Sequence, residues 1–219
     1  MCFSAEADLV AGAVVTAVGV DALRQAREPA ERALATLPLL LGAHLLVEAV
    51  VWWGLTDQVD RSTGRVAMYL YLAFALCVLP LLVPLTIRGM DPDPRRRRLM
   101  SSLAAAGAIV AAVYLVGLAK GPTSVRIDGR HLAYDVQVAH GGLLAAVYAV
   151  VACAPLLLSS HRRIVEFGVA NVLAVAALTW LQTTALTSLW CAWAAVTSLA
   201  IATYLRERHP DREAKAHPA

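Results

Sequence analysis

Long runs of apolar residues, separated by short clusters of charge, are the feature that most limits what this chain can fold into. A run of about 20 apolar residues crosses roughly 30 Å of hydrocarbon as an α-helix. Of the 219 residues, 59% are hydrophobic and only 16% are charged, whereas about 25% are charged in a soluble domain. The pattern predicts an all-α, polytopic membrane protein. Because the charges lie between apolar runs, the net charge of +3 does not indicate a nucleic-acid partner.

The apolar runs number seven, and the charges between them predict their orientation. Cytoplasmic loops of membrane proteins are enriched in Lys and Arg. With the N-terminus outside, 14 of the 19 Lys and Arg residues lie in cytoplasmic segments and 5 in outer segments. We predict one seven-transmembrane-helix domain over 1–205, N-out and C-in, followed by a disordered cytoplasmic tail over 206–219. The predicted spans are 7–23, 33–55, 66–87, 99–119, 136–158, 164–184 and 187–205.

Two short motifs predict local structure between the spans. The longest outer segment, TSVRIDGRHLAY, contains Asp128-Gly129, a dipeptide favoured in two-residue hairpin turns. We therefore expect a short outer β-hairpin between spans four and five. Asp93-Pro94 is a typical N-cap and first residue of a helix, which predicts the start of span four.

Small residues recur at helical spacing in spans one and four. Such rows let helices approach closely in a membrane. We expect them to pack inside the bundle, and a homo-oligomer that uses one of them as its contact face is the alternative. The rows are Gly12, Thr16 and Gly19, and Ala104, Ala108 and Ala112.

The second span, in the stretch LLLGAHLLVEAVVWW, contains two ionisable residues four positions apart. His44 and Glu48 share one helical face, and Trp52 lies one turn further out. Ionisable groups inside a membrane are costly and face the bundle interior or a water-filled cavity. One explanation is a structural hydrogen bond from Glu48 to a neighbouring helix, with His44 as its partner. The other is a functional site.

The functional explanation gathers ligands at one depth. His140, in YDVQVAHGG, lies at the outer end of span five, level with His44 and Glu48 in an N-out bundle. Two His and one carboxylate form a known zinc set, and a similar set binds non-haem iron. We therefore predict a zinc or iron site at His44, Glu48 and His140, with a haem held by two histidines as an alternative. Glu48 or Glu6 would be the general base toward a metal-bound water.

Cys2 is a further catalytic candidate beside Glu48 and Glu6. If Met1 is removed, Cys2 offers an α-amine and a thiol as adjacent ligands, or as nucleophile and base. A disulfide between Cys2 and Cys191 is the structural alternative. Ser4 is expected to cap the first helix, with the carboxylates of Glu6 and Asp8 stabilised in its first turn.

The N-terminal MCFSA, the glycine- and alanine-rich first span and HLLVEAVVWW resemble an uncharacterised family of small bacterial multi-pass membrane proteins. That resemblance implies a bacterial inner-membrane location and no particular activity. Seven spans with inward His and acidic residues are also similar to the alkaline ceramidase and adiponectin-receptor superfamily of zinc hydrolases. Span seven, however, lacks the HxxxH pair of that superfamily.

Three functions follow from these patterns. The first is a metal-dependent hydrolase that acts on a lipid-like or amphipathic substrate entering from the outer leaflet. The alternative is a transporter or sensor in which Glu48 and His44 relay a proton or ligand. The third is a scaffold or partner subunit without small-molecule chemistry. Membrane lipids and a small amphipathic ligand are the expected partners.

Overall fold

A computed structural model describes residues 4–129, 131–181 and 198–203. Helices form most of this part of the chain, and a π-helical turn over Phe74–Val78 joins α3 to α4. Residues 198–203 are also helical. The elements are α1 (Ala5–Gln25), α2 (Pro29–Leu55), α3 (Arg61–Ala73), α4 (Leu79–Met90), α5 (Pro94–Lys120), β1 (Thr123–Asp128), β2 (His131–Val136), α6 (Gly141–Leu157) and α7 (Arg162–Leu181).

Two helices begin at the predicted capping residues. The Ser4 hydroxyl accepts a hydrogen bond from the backbone N–H of Ala7 at 3.3 Å, at the start of α1. The Asp93 carboxylate accepts one from the backbone N–H of Arg95 at 2.8 Å, at the start of α5. Each cap satisfies a helix N–H that has no partner within the helix. Both predicted helix starts are confirmed.

Helix α1 packs tightly against α2 through its small residues. A Cβ added at Gly19 would lie 2.5 Å from the backbone nitrogen of Leu39, and Gly42 is equally close to the backbone of Thr16. The predicted packing of this row inside the bundle is confirmed. In α5 the expected inward packing holds for the buried Ala104 but not for Ala108 and Ala112, which are exposed. Instead Gly107 faces the interior, where its missing side chain makes room for the Pro80 carbonyl.

The π-helical turn is a feature that the continuous span over 66–87 did not predict. The backbone N–H of Leu79 bonds to the carbonyl of Phe74. Pro80 has no N–H, so the carbonyl of Ala75 lacks a backbone donor there. The Tyr148 hydroxyl of α6 donates to that carbonyl at 2.7 Å. A residue 73 positions away thus satisfies the backbone group that the proline leaves unpaired.

The predicted β-hairpin is confirmed, with its turn one residue later than expected. β1 and β2 pair antiparallel from Thr123 opposite Val136 to Asp128 opposite His131. Asp128 therefore belongs to β1, and Gly129 after it adopts a φ of 61° that suits glycine. Leu132 is buried against the ends of α2 and α3. We call this end of the bundle the hairpin end.

Hydrogen bonds close the opposite end, here called the arginine end because Arg95–Arg98 lie there. The carboxylate of Asp91 accepts hydrogen bonds from the backbone N–H and the hydroxyl of Ser160, at 2.7 and 2.8 Å. It also accepts one from the backbone N–H of Asp93 at 3.0 Å. The Arg96 guanidinium donates to the carbonyl of Leu158 at 2.6 Å. The loop after α4 is thereby joined to the loop before α7.

Three helices in the described part of the chain are long and apolar enough to cross a membrane: Glu31–Leu55, Arg61–Met90 and Pro94–Lys120. Helix α6 is apolar but shorter than the predicted span over 136–158, because β2 extends to Val136. Large apolar side chains are exposed on helices both within and outside these three, which is compatible with a lipid-facing surface; they include Val10, Ile109, Leu143 and Leu173. The count of seven spans and the N-out orientation stay predictions. Most of span seven and the tail over 206–219 lie outside the described residues.

Candidate functional site

A cluster of polar side chains, all buried except the partly buried Tyr134, lies beneath the hairpin, and we call it the polar layer. It contains Asp8 of α1, His44 and Glu48 of α2, Tyr71 of α3 and Tyr134 of β2. Asp8 enters it because the buried face of α1 repeats every three or four residues and includes both Asp8 and Gly12. The close contact of that face with α2 brings Asp8 to Glu48.

Both carboxyl groups of the polar layer are withdrawn from solvent. Asp8 is 0% exposed and Glu48 is 1% exposed. They lie close enough for their charges to interact. The Tyr71 hydroxyl interacts electrostatically with Glu48. The Tyr134 hydroxyl interacts with the same carboxyl group, although its geometry falls short of a direct hydrogen bond.

Asp8 differs from Glu48 in its immediate partners. Within the described part of the chain, neither carboxylate oxygen of Asp8 accepts a direct hydrogen bond. The indole N–H of Trp52 interacts with Asp8 electrostatically, but among the same residues it also makes no direct hydrogen bond. Buried polar atoms without partners are rare because they lose the solvation of water and gain nothing in return. Asp8 and Trp52 therefore form a polar pocket with unused hydrogen-bonding capacity.

Stacked rings hold the polar layer in place. His44 stacks on Tyr71 with centroids 4.0 Å apart and planes 12° apart, and Tyr71 stacks on Tyr134 at 4.8 Å and 12°. Phe74, the first residue of the π-helical turn, contacts His44 in a tilted arrangement, with ring centroids 4.8 Å apart. Helices α2 and α3, the π-helical turn and β2 thus contribute to one column of rings. The column fixes the imidazole and both phenols relative to the carboxyl groups.

Tyr134 connects the polar layer to the hairpin. Burial raises the pKa of its phenol well above the usual range, and the nearby Glu48 carboxylate acts in the same direction. Tyr134 therefore keeps its proton at neutral pH and can serve as a donor. Movement of the hairpin would move this donor away from the carboxyl groups.

Comparison with known protein families shows which family the chain belongs to. Residues 1–216 match DUF6629, a family of unknown function. The chain belongs to DUF6629. No curated protein and no solved structure matches it. The expectation of an uncharacterised family is confirmed for this DUF6629 chain, whereas its bacterial origin stays an expectation.

The residues predicted for the site are only partly brought together. His44 and Glu48 both lie in the polar layer, as their spacing indicates. His140 is exposed at the residue before α6, where it adopts a left-handed φ of 54°. Glu6 is exposed in the first turn of α1. Cys2 and its alternative partner Cys191 lie outside the described residues.

The predicted metal site gains no support from this arrangement. Within 4–129, 131–181 and 198–203, no three or more His, Cys, Asp and Glu side chains form a group that could hold a metal ion. His44 presents its ring faces to Tyr71 and Phe74, and His140 is exposed. The described residues therefore do not fit a zinc or iron site. A site completed by Cys2 stays a prediction.

Sequence reasoning missed three members of the polar layer. Asp8 was assigned to favourable contact with the helix dipole, but it lies four residues before Gly12 and so on the buried face. That spacing was a usable signal. Tyr71 was not among the predicted site residues. Tyr134 had no signal of its own, since its place depends on how the hairpin folds over α2 and α3.

Proposed function

We propose that this chain is a membrane-embedded proton relay, either a transporter or a sensor, in which Asp8 and Glu48 share an exchangeable proton. The observation that carries the proposal is the pair of fully buried carboxyl groups on two neighbouring helices. Ionisable residues at membrane depth are costly and usually serve a function. In this proposal the protein has seven spans in the plasma membrane, and the hairpin end faces outward.

The shared proton follows from the electrostatics of the pair. Two adjacent carboxylates away from water repel each other strongly when both are ionised. One proton held between them removes that repulsion, and the pair then titrates as a unit. Asp8 has unused acceptor capacity for such a proton. Glu48 is kept in position by Tyr71.

The rings define a direction for proton movement. Tyr134 belongs to the hairpin, whereas His44 lies one helical turn from Glu48 on the side away from Trp52. A proton would enter under the hairpin beside Tyr134, reside on the carboxyl pair and leave toward His44. Imidazole can take part in such a relay because one ring nitrogen can accept a proton while the other donates one.

The first test measures proton movement in proteoliposomes that contain a pH-sensitive dye. An imposed pH gradient should collapse faster with wild-type protein than with Glu48→Gln or Asp8→Asn. Asp135→Asn is the matched control, since Asp135 follows Tyr134 on β2 and is exposed. Equal fluxes for wild type and Glu48→Gln would exclude the transporter.

Infrared difference spectroscopy between neutral and acid pH tests the sensor. A protonated-carboxyl band that is present in wild type and lost in both Glu48→Gln and Asp8→Asn supports the shared proton. Such a band without proton flux identifies a sensor. A protein with neither band nor flux would contradict the whole proposal.

Hydrolysis of a lipid-like substrate by a metal at His44, Glu48 and His140 is the competing proposal. It requires His140 to leave its exposed position and approach α2. Elemental analysis of purified protein separates the two functions. Stoichiometric zinc or iron that is lost in His44→Ala would favour the hydrolase over the relay.

A further inference from the structure

A cleft of about 350 Å³ opens at the hairpin end, outside the polar layer. The end of α2, the start of α3 and strand β1 form its walls. Its size falls at the lower end of the range typical of small-molecule sites. The residues that line it are Val51, Gly54, Leu55, Asp57, Arg61, Gly64, Arg65, Met68, Thr123, Ser124 and Val125.

The base of the cleft is apolar and is shaped by two glycines. A Cβ on Gly64 would lie 2.7 Å from the Cα of Gly54, so the two helices touch through their backbones. Val51 and Met68 are buried beside them. These two side chains also belong to the hydrophobic cluster that contains Tyr71. The cleft is therefore a neighbour of the polar layer and not part of it.

The rim of the cleft has an excess of positive charge. Arg65 is exposed and forms no ion pair or hydrogen bond with any residue that the structure describes. Arg61 lies 3.6 Å from Asp57, in a pair whose side chains are 87% and 75% exposed. Such a pair is weak and exchanges readily for a stronger partner. The rim therefore carries two guanidinium groups and one carboxylate.

Thr123 adds a polar group to the cleft wall. Its hydroxyl oxygen is buried and has no hydrogen-bond partner among the residues that the structure describes. A hydroxyl in this state gains free energy from any ligand that accepts a hydrogen bond from it. Thr123 begins β1, so the strand places this donor in the same cleft as the two arginines.

We propose that this cleft binds an anionic amphiphile, with a phosphate or carboxylate head and a short apolar chain. The head lies between Arg61 and Arg65 and accepts a hydrogen bond from the Thr123 hydroxyl. Guanidinium groups recognise such heads through paired, charge-assisted hydrogen bonds. The chain lies on Val51 and Met68. This proposal does not depend on proton transfer by the polar layer.

The test uses hexyl phosphate as the probe and full-length protein in nanodiscs of neutral lipid. Calorimetry should show saturable binding of hexyl phosphate, weaker binding of inorganic phosphate and none of hexanol. Arg65→Gln and Thr123→Val should each weaken hexyl phosphate binding, the former by about tenfold because a charge-assisted hydrogen bond is lost. Arg126→Gln is the matched control, since it removes an equal charge from β1 at a residue that does not line the cleft.

The relative affinities of the three probes and the three variants decide whether the proposal holds. Equal binding of hexyl phosphate and hexanol would overturn it, as would equal losses in Arg65→Gln and Arg126→Gln. Nanodiscs with phosphatidylglycerol then identify the source of the ligand. Competition by that lipid indicates a lipid head group, whereas unchanged hexyl phosphate binding indicates a free amphiphile. Loss of proton flux in Glu48→Gln has no bearing on these outcomes.

Discussion

Two aspartates are buried at opposite ends of this bundle, and their surroundings differ. Asp91 at the arginine end is 3% exposed and accepts three hydrogen bonds, from Ser160 and Asp93. Asp8 at the hairpin end is 0% exposed and accepts none directly. A carboxylate whose hydrogen bonds are satisfied stabilises the fold. One without them lowers stability and indicates a function that requires it. Burial alone therefore does not separate a structural acid from a functional one.

Removing each aspartate should give opposite results. Asp91→Ala leaves the backbone N–H and the hydroxyl of Ser160 without an acceptor, so we expect the free energy of unfolding to fall by about 3 kcal/mol. Asp8→Asn removes a buried charge and no direct hydrogen bond, so stability should stay equal or rise. Thermal unfolding of both variants in detergent measures the difference. A larger loss for Asp8→Asn than for Asp91→Ala would invalidate the distinction.

Two glycines, Gly64 at the hairpin end and Gly89 at the arginine end, differ in how closely other residues pack against them. An alanine at Gly64 would meet the backbone of Gly54, so Gly64→Ala should destabilise the protein by about 2 kcal/mol and perturb the cleft. Gly89 in α4 has nothing within 4 Å of an added Cβ. Gly89→Ala should therefore raise stability by up to about 1 kcal/mol through helix propensity. Equal unfolding temperatures for the two variants would contradict this packing.

The smallest expected effect is on the pH dependence of stability. Burial opposes the ionised form of Asp91, but hydrogen bonds from Ser160 and Asp93 outweigh it and lower the pKa of the carboxyl group. A pKa that is lower in the folded state stabilises the fold at pH values above the unfolded pKa. This contribution is lost as the pH falls through the folded pKa. Stability should thus decrease in acid.

Asp91→Asn should make the acid limb of the stability curve shallower, whereas Asp135→Asn should leave it unchanged. Asp60 contributes to the loss of stability in acid, and both variants keep this contribution. Hydrogen bonds from Ser62 and from the backbone and side chain of Thr63 lower its pKa to about 2. Unfolding temperatures recorded across the acid range give the slopes. Parallel curves for wild type and Asp91→Asn would show that the Ser160 contacts contribute nothing to this dependence.

The local features that sequence reasoning predicted are those that depend on neighbouring residues. Ser4 and Asp93 cap helices because their side chains reach N–H groups two or three residues away. The hairpin follows from the turn dipeptide Asp128-Gly129 within a short polar segment. His44 and Glu48 lie together because four residues make about one helical turn. None of these requires knowledge of how the helices pack.

The features that were missed depend on contacts between distant residues. The π-helical turn is stabilised by Tyr148, and its first residue, Phe74, contacts His44. Ala108 and Ala112 were expected to face the interior of the bundle. They are exposed because the close contact of Gly107 with the Pro80 carbonyl sets the rotation of α5 about its axis. His140 lies exposed in the loop of four residues between the end of β2 at Val136 and the start of α6 at Gly141.

The sequence by itself determined the class of the protein, its apolar helices, its caps and its hairpin, because these follow from composition and from short-range hydrogen bonding. Only the tertiary structure decided which ionisable residues meet. Asp8 joins Glu48 because glycines bring α1 against α2, and Tyr134 joins them because Leu132 anchors the hairpin over α3. Rotation of a helix about its axis and the docking of a hairpin are set by packing with distant partners. A single sequence contains those partner residues but does not show which of them are in contact.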